Sequence, residues 1–148
     1  MSVALLDVNA LLALHWRSHK FHNAAMKWFA ANGKNGWATC ALTQVGFTRV
    51  LSNPSFDAAA PPPAKALELL ANSTTSNPNH QFWPDTLPLS GIGSTLRKRI
   101  QGHNQLVDAY LLALAMQHHG YVATFDSRMQ SLAPQGSPEH DALVILHP

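Results

Sequence analysis

Short apolar runs alternate with longer segments of helical period along the whole chain. The runs are three to five residues long, which is typical of buried strands and too short for helices. Strands that alternate with helices pair in parallel, so this order predicts an α/β fold with a central, mostly parallel sheet of four to five strands. The predicted strands are Val3–Leu6, Gly36–Thr39, Gln81–Trp83, Tyr121–Phe125 and Leu143–Leu146.

Segments with a helical period fill the spaces between these runs. The longest apolar stripe predicts a helix over Gln105–His119, with Asn104 as its N-cap. The polar stretch 72–79 predicts a loop. The other predicted helices cover 9–16, 21–31, 43–51, 64–71, a segment that begins near Ser90, and 127–132.

The composition limits the class of protein. The length predicts a single domain over residues 1–148, and only 12% of the residues are charged, for a net charge of +2. So few charges indicate either a face covered by a partner or a surface made soluble by neutral polar residues. Cys40 is the only cysteine, which excludes an internal disulfide framework and a multi-cysteine zinc site. Without a signal peptide or a membrane-length apolar run, the sequence predicts a cytoplasmic protein.

Three carboxylates stand where predicted elements end or begin. Asp7 follows the first strand, Asp108 lies in the first turn of the long helix, and Asp126 follows the strand after that helix. Open α/β sheets place their sites at the carboxyl ends of their strands, so these side chains are expected to converge. Carboxylates that converge repel one another unless a cation or a proton joins them. The pattern therefore predicts a site for Mg²⁺, with Mn²⁺ as an alternative.

Four stretches together carry a resemblance to a known family. They are Leu5–Leu14, Thr39–Pro54, Asp108–Ala113 and Ala123–Asp126. In order and spacing they resemble the PIN-domain ribonucleases, specifically the VapC toxins of bacterial and archaeal toxin–antitoxin pairs. The resemblance implies a PIN-like three-layer α/β/α sandwich.

The family's acidic positions map onto this chain one residue at a time. The first, third and fourth fall on Asp7, Asp108 and Asp126, which implies that these residues bind one or two metal ions. The second falls on Gln44, which carries no charge. Gln44 would either assist catalysis through a water molecule or act only as a first-turn residue that bonds backbone N–H groups.

Three further polar residues are candidates for substrate binding. Asn9 would bond a water at the metal or cap the first helix, and Thr124 would orient the scissile phosphate or pack at the end of its strand. Arg49, one turn beyond Gln44, would reach the substrate or a carboxylate of a partner.

The resemblance implies a Mg²⁺-dependent endoribonuclease toxin that hydrolyses RNA to 5′-phosphate and 3′-hydroxyl ends. It also implies a cognate VapB-type antitoxin and a homodimer. The alternative, suggested by Gln44, is a catalytically weakened PIN domain that serves as an RNA- or partner-binding module. A phospho-receiver domain also gathers aspartates at a sheet edge, but it needs a lysine near the last strand, and none follows Lys98.

Two other patterns favour structural roles. His15, His19 and His22 have no nearby carboxylate or cysteine that would complete a metal site, so surface histidines are expected. The basic run 97–99 offers contacts to RNA phosphates, but three adjacent helical residues point in different directions, which favours a solvated face.

Overall fold

A five-stranded parallel sheet forms the centre of the molecule. The computed structural model describes residues 2–148, and within this range the sheet has the order β3-β2-β1-β4-β5 with every neighbouring pair parallel. The predicted parallel sheet is therefore confirmed, with five strands. The strands are β1 (Ala4–Leu6), β2 (Trp37–Cys40), β3 (His80–Trp83), β4 (Tyr121–Thr124) and β5 (Leu143–Ile145).

Helices cover both faces of this sheet. They are α1 (Val8–His15), α2 (His22–Asn32), α3 (Ala41–Leu51), α4 (Pro63–Ser76), α5 (Ser94–Arg99) and α6 (Leu106–Gln117). Short 3₁₀ turns complete the chain at Gly33–Asn35, Leu89–Gly91, His103–Gln105, Ser127–Leu132 and Pro138–Ala142. Among residues 2–148, none of the helices has the length and apolar character that crossing a bilayer requires.

Each face of the sheet packs its own hydrophobic core. Successive residues of β1 point to opposite faces, so Leu5 joins the core of α5 and α6, whereas Ala4 and Leu6 join that of α1, α3 and α4. All three residues are at most 1% exposed. Burial on both faces explains why β1 is a continuous apolar run without alternation. The two cores give the three-layer sandwich that the resemblance implied.

Two local predictions were wrong at helix ends. The helix α6 begins at Leu106, because residues 103–105 form a 3₁₀ turn and Asn104 does not cap it. The Gln105 side chain instead accepts hydrogen bonds from the backbone N–H groups of Gln101 and Gly102. The predicted loop 72–79 is helical as far as Ser76.

The polar end of α4 stays helical because its hydroxyl groups bond within the helix. Thr74 donates to the Leu70 carbonyl at 3.0 Å, and Thr75 donates to the Ala71 carbonyl at 2.7 Å. Ser73 is hydrogen-bonded to His15 of α1 at 2.7 Å, which ties this last turn to the core. Tertiary contact therefore overrides the low helix propensity of the segment.

We predict that Gly120→Ala destabilises the protein by about 1–3 kcal/mol, because the new methyl group overpacks a closed junction. A Cβ at Gly120, between α6 and β4, would lie 2.4 Å from the Val3 carbonyl oxygen and 2.8 Å from the Trp83 ring. Thermal and urea denaturation measure the effect. Gly93→Ala is the matched control, because a Cβ at Gly93 meets nothing within 4 Å. Equal stability of the two variants would contradict this account.

Candidate active site

The pairing of β1 with β4 brings two of the three aspartates to one edge of the sheet. Leu6 is in register with Ala123, and the Asp7 N–H donates to the Ala123 carbonyl at 3.1 Å. Asp7 therefore leaves β1 beside the carboxyl end of β4, from which Asp126 follows two residues later. Asp108 approaches from the first turn of α6.

Asp7 is a buried carboxylate held entirely by neutral donors. It is 8% exposed and caps the N-terminus of α1, where its Oδ1 accepts the Val8 N–H at 2.7 Å. Its Oδ2 accepts the Thr124 hydroxyl at 2.8 Å and the Asn9 amide at 3.3 Å. Burial raises the pKa of Asp7, the bonds from Thr124 and Val8 oppose that rise, and the charge of Asp126 adds to it.

Asn9 and Thr124 link the two strand ends. The Asn9 amide nitrogen donates to Thr124 Oγ1 at 2.9 Å, and its Oδ1 accepts the Phe125 N–H at 2.9 Å. Thr124 Oγ1 also accepts the Asp126 N–H at 3.0 Å. In this structure both residues therefore position the carboxylates; their predicted substrate contacts remain proposals.

Asp108 experiences the charge of both other aspartates. Burial, then Asp7, then Asp126 raise its pKa to about 6, and the nearby Arg128 partly offsets the rise. Asp126 differs because its pKa is lowered, chiefly by the hydrogen bond from the Arg128 side chain. The three carboxylates thus share one electrostatic environment, although only Asp126 has a cationic partner.

This shared environment is not an assembled metal centre. Within residues 2–148, no three His, Cys, Asp or Glu side chains are grouped so that they could hold a metal ion together. The three carboxylates nevertheless lie close enough for Asp126 to raise the pKa of Asp7, and for Asp7 and Asp126 to raise that of Asp108.

Gln44 is hydrogen-bonded to a buried threonine, and within residues 2–148 its side chain forms no hydrogen bond to the three aspartates. Its amide nitrogen donates to Thr39 Oγ1 at 2.9 Å, and Thr39 Oγ1 is in turn 2.8 Å from His80 Nε2. Thr39 is fully buried, so Gln44 points into a polar network between α3, β2 and β3. The α3 residue that packs against Val8, next to Asp7, is Gly46. Neither predicted role of Gln44, water-mediated assistance or backbone bonding, is visible in this structure.

An apolar groove of about 950 Å³ lies next to the carboxylates. It runs between the start of α3, the loop before α5 and the start of α6, and Arg49 and Asp85 stand on its walls. Five of its apolar residues are between 43% and 65% exposed: Leu42, Val45, Leu89, Leu106 and Val107. A continuous exposed apolar surface of this kind marks a site of interaction.

The sequence did not reveal the role of Arg128, and it favoured a solvated face for the basic run, of which Arg97 and Lys98 are exposed. Arg128 binds both carboxylate oxygens of Asp126, at 2.9 Å each, and only the Asp-Ser-Arg spacing hinted at it. In the basic run, Arg97 donates to the carbonyls of Ser90 and Ile92, and Arg99 pairs with the buried Glu139 at 2.9 Å. Two of the three basic residues therefore hold loops.

The three candidate histidines also have structural partners. His15 is bonded to the Leu11 carbonyl as well as to Ser73, and His22 is bonded to the Ala13 carbonyl. His19 accepts the Phe21 N–H at 3.0 Å. Their hydrogen bonds tie α1, α2 and α4 together.

The sequence is similar to a recognised family and to curated proteins of one organism. A family model described as the PIN domain matches residues 4–134. Ribonuclease VapC39 of Mycobacterium tuberculosis is 40% identical over 136 residues, which cover 92% of this chain and 97% of that protein. Ribonuclease VapC44 of the same organism is 42% identical over 137 residues, covering 90% and 93%. Ribonuclease VapC38 is 41% identical over 133 residues, covering 90% and 92%.

We predict that Asp108→Asn stabilises the metal-free protein at pH 7.5 by about 1–2 kcal/mol, after allowance for solvent screening of this half-buried group. Because folding raises the pKa of Asp108 from 3.8 to about 6, the folded state favours the protonated form. The stability that this group contributes is complete below pH 3.8 and is lost as the pH rises through 6. The advantage of Asn should therefore disappear near pH 4 in thermal melts with EDTA.

Asp126→Asn is the matched control with the opposite sign. Arg128 lowers the pKa of Asp126, so this carboxylate contributes stability above pH 3.8 that is lost in acid. Its substitution should lower stability at pH 7.5, by less than about 1 kcal/mol because the pair is exposed. Shifts of the same sign for both variants at pH 7.5 would show that the electrostatic account is wrong.

Proposed function

The chain belongs to the PIN-domain family, and from this membership we infer that it is an endoribonuclease that hydrolyses RNA phosphodiester bonds with the help of a divalent cation. The observation that carries the proposal is the placement of three carboxylates at the carboxyl edge of the sheet, where burial first, and then the charges of Asp7 and Asp126, raise the pKa of Asp108 to about 6. The similarity to ribonucleases over at least 90% of the chain supports it.

The residues at this edge fit a hard divalent cation such as Mg²⁺ or Mn²⁺. All three candidate ligands offer carboxylate oxygens, the donors that these ions prefer. Asp7 is buried with only neutral donors around it, so a nearby cation would offset a charge that the protein leaves uncompensated. We propose that Asp7, Asp108 and Asp126 hold the ion, which would offset charge on the phosphodiester and lower the pKa of an attacking water.

Other side chains of the protein would orient the metal ligands and set their charge. Thr124 and Asn9 hold Oδ2 of Asp7 in place by hydrogen bonds. The Asp7 side chain would therefore need little reorientation when the substrate binds. Asp108 lies in the first turn of α6, whose dipole favours a negative charge there. With a pKa of about 6, Asp108 is mostly ionised at neutral pH, and a nearby cation would stabilise that ionised form.

We further propose that the protein acts as the toxin of a toxin–antitoxin pair in the cytoplasm. The relatives carry the VapC name, from which a VapB-type antitoxin is the expected partner. The exposed apolar groove beside the carboxylates supports a protein partner, either the antitoxin or a second copy of the chain in a homodimer. Arg49 on its wall offers the partner or the RNA a positive charge.

The alternative function, a PIN domain that binds RNA without cleaving it, rests on the missing fourth acid. The amide nitrogen of Gln44 donates to Thr39, so Gln44 brings no charge to the three carboxylates. A Gln44→Glu variant addresses the alternative directly. If wild type binds RNA but is inert and Gln44→Glu cleaves it, the binding-module reading is correct.

We predict that Asp7→Asn and Asp108→Asn each abolish metal-dependent RNA cleavage and growth arrest, because each removes a carboxylate from a set of three. Cleavage of a labelled RNA pool in Mg²⁺ or Mn²⁺ measures the effect, and a loss of at least about 100-fold is expected. The control is Asp141→Asn, which changes an exposed acid in the turn before β5, at the opposite end of the strands. Full activity of purified Asp108→Asn would overturn the proposal.

We predict that Thr124→Val lowers cleavage by about 10- to 100-fold, the usual effect of removing a residue that orients a metal ligand. Valine keeps the shape but deletes the hydroxyl that bonds Asp7 Oδ2 and the Asp126 N–H. Thr124→Ser keeps that hydroxyl and should retain most activity. If serine and valine are equally impaired although both variants are folded, the hydroxyl has no positioning role.

A further inference from the structure

Arg128 occupies the carboxylate of Asp126 with three hydrogen bonds. Its backbone N–H and Nε both reach Oδ1, at 3.0 and 2.9 Å, and its Nη2 reaches Oδ2 at 2.9 Å. An ionised carboxylate accepts about four hydrogen bonds, so little capacity remains. One acceptor position remains free, on Oδ2, and the adjacent positive charge of Arg128 disfavours a cation there while its side chain stays in place.

The ion pair between Arg128 and Asp126 joins residues two positions apart and is accessible to solvent on the arginine side. Its side chain is 85% exposed, whereas that of Asp126 is 24% exposed. Among residues 2–148, Asp126 is the only side chain to which the guanidinium donates a hydrogen bond. The turn that contains Arg128 buries Met129 and Leu132, and Ser131 bonds only the backbone carbonyl of Arg128. Exposed ion pairs are weak and screened by salt, so this contact is easily exchanged.

Asp126 itself is held in place independently of Arg128. Its N–H donates to Thr124 Oγ1, the same hydroxyl that donates to Asp7. Releasing the guanidinium would therefore free the carboxylate oxygens without loosening the backbone that delivers them.

We propose that Arg128 is an exchangeable counterion of the metal site, which holds Asp126 in the metal-free protein and gives it up when a divalent cation binds. This inference rests on the proposed function, because it takes Asp126 as a metal ligand. It explains why three coupled carboxylates are not gathered into a ready cation site. It also makes Arg128 a positioning residue whose positive charge weakens cation binding by competition and repulsion.

Once released from Asp126, the Arg128 guanidinium would be free to bind a phosphate group of the RNA. An arginine released two residues from Asp126 remains at the mouth of the cluster, where its planar fork suits a phosphate group. Arg128 would then contribute to RNA binding only when Asp126 is engaged with a cation. Its removal should strengthen cation binding and weaken RNA binding, two opposite effects that a purely structural residue would not produce.

The test is a calorimetric titration of the full-length chain with Mn²⁺ at pH 7.5, without RNA. Arg128→Gln should bind Mn²⁺ about 5- to 20-fold more tightly than wild type, since both the ion pair and the charge repulsion are removed. Arg128→Lys should lie between them, because one ammonium group cannot hold both oxygens in the same way. Lys34→Gln is the matched control, because it makes an equal charge change in the turn before β2, at the amino ends of the strands. Its Mn²⁺ affinity should equal that of wild type.

A second measurement covers RNA affinity. With Ca²⁺ in place of Mg²⁺ to slow cleavage, Arg128→Gln should bind a labelled RNA about 3- to 10-fold more weakly and with a smaller salt dependence. Unchanged Mn²⁺ affinity in Arg128→Gln, while Asp126→Asn weakens binding, would overturn the exchange and leave the metal site intact. Absence of Mn²⁺ binding to wild type would instead refute the metal site of the proposed function, and the exchange with it.

Discussion

The direct parallel pairing of β1 with β4 is the constraint on which the rest of the site depends. It places the end of β1 beside the end of β4, so one hydroxyl, that of Thr124, reaches both the carboxylate of Asp7 and the backbone of Asp126. Strands that pair in parallel need a crossover between them, and the long crossover from β1 to β4 contains α6, which delivers Asp108. The topology therefore brings Asp7, Asp108 and Asp126, which are distant in sequence, close enough to interact electrostatically.

The clustering of these aspartates lowers the stability of the folded protein. Burial of Asp7 and the mutual repulsion of the carboxylates raise the pKa values of Asp7 and Asp108, so the folded protein carries unfavourable electrostatic energy at neutral pH. The two hydrophobic cores supply the stability that tolerates it. Hydrogen bonds from Asn9, Thr124 and the Val8 N–H reduce the cost for Asp7 without neutralising it. Groups with perturbed pKa values of this kind are commonly found at functional sites.

The sequence was informative where short-range chemistry determines structure, and less so where tertiary contacts decide. Short apolar runs predicted all five strands: β1, β2 and β4 lie inside the sheet and are buried almost throughout, which requires apolar residues, whereas the edge strands β3 and β5 are partly exposed. The start of α6 and the extent of α4 were wrong because side-chain bonds from Gln105, Thr74 and Thr75 are not visible in composition. At the site, position along the strands located the aspartates, but the direction of the Gln44 side chain depends on buried Thr39 and could not be predicted.

Asp7 has two roles, and a substitution can remove one and keep the other. Its side chain caps α1 and also supplies charge to the site. Asparagine caps helices about as well as aspartate, so exchanging one for the other removes the charge and keeps the helix start. The two amino acids differ by a single base in their codons. Under the proposed function, a gene for this chain therefore lies one point mutation away from a folded protein that lacks one metal ligand and keeps its exposed apolar groove.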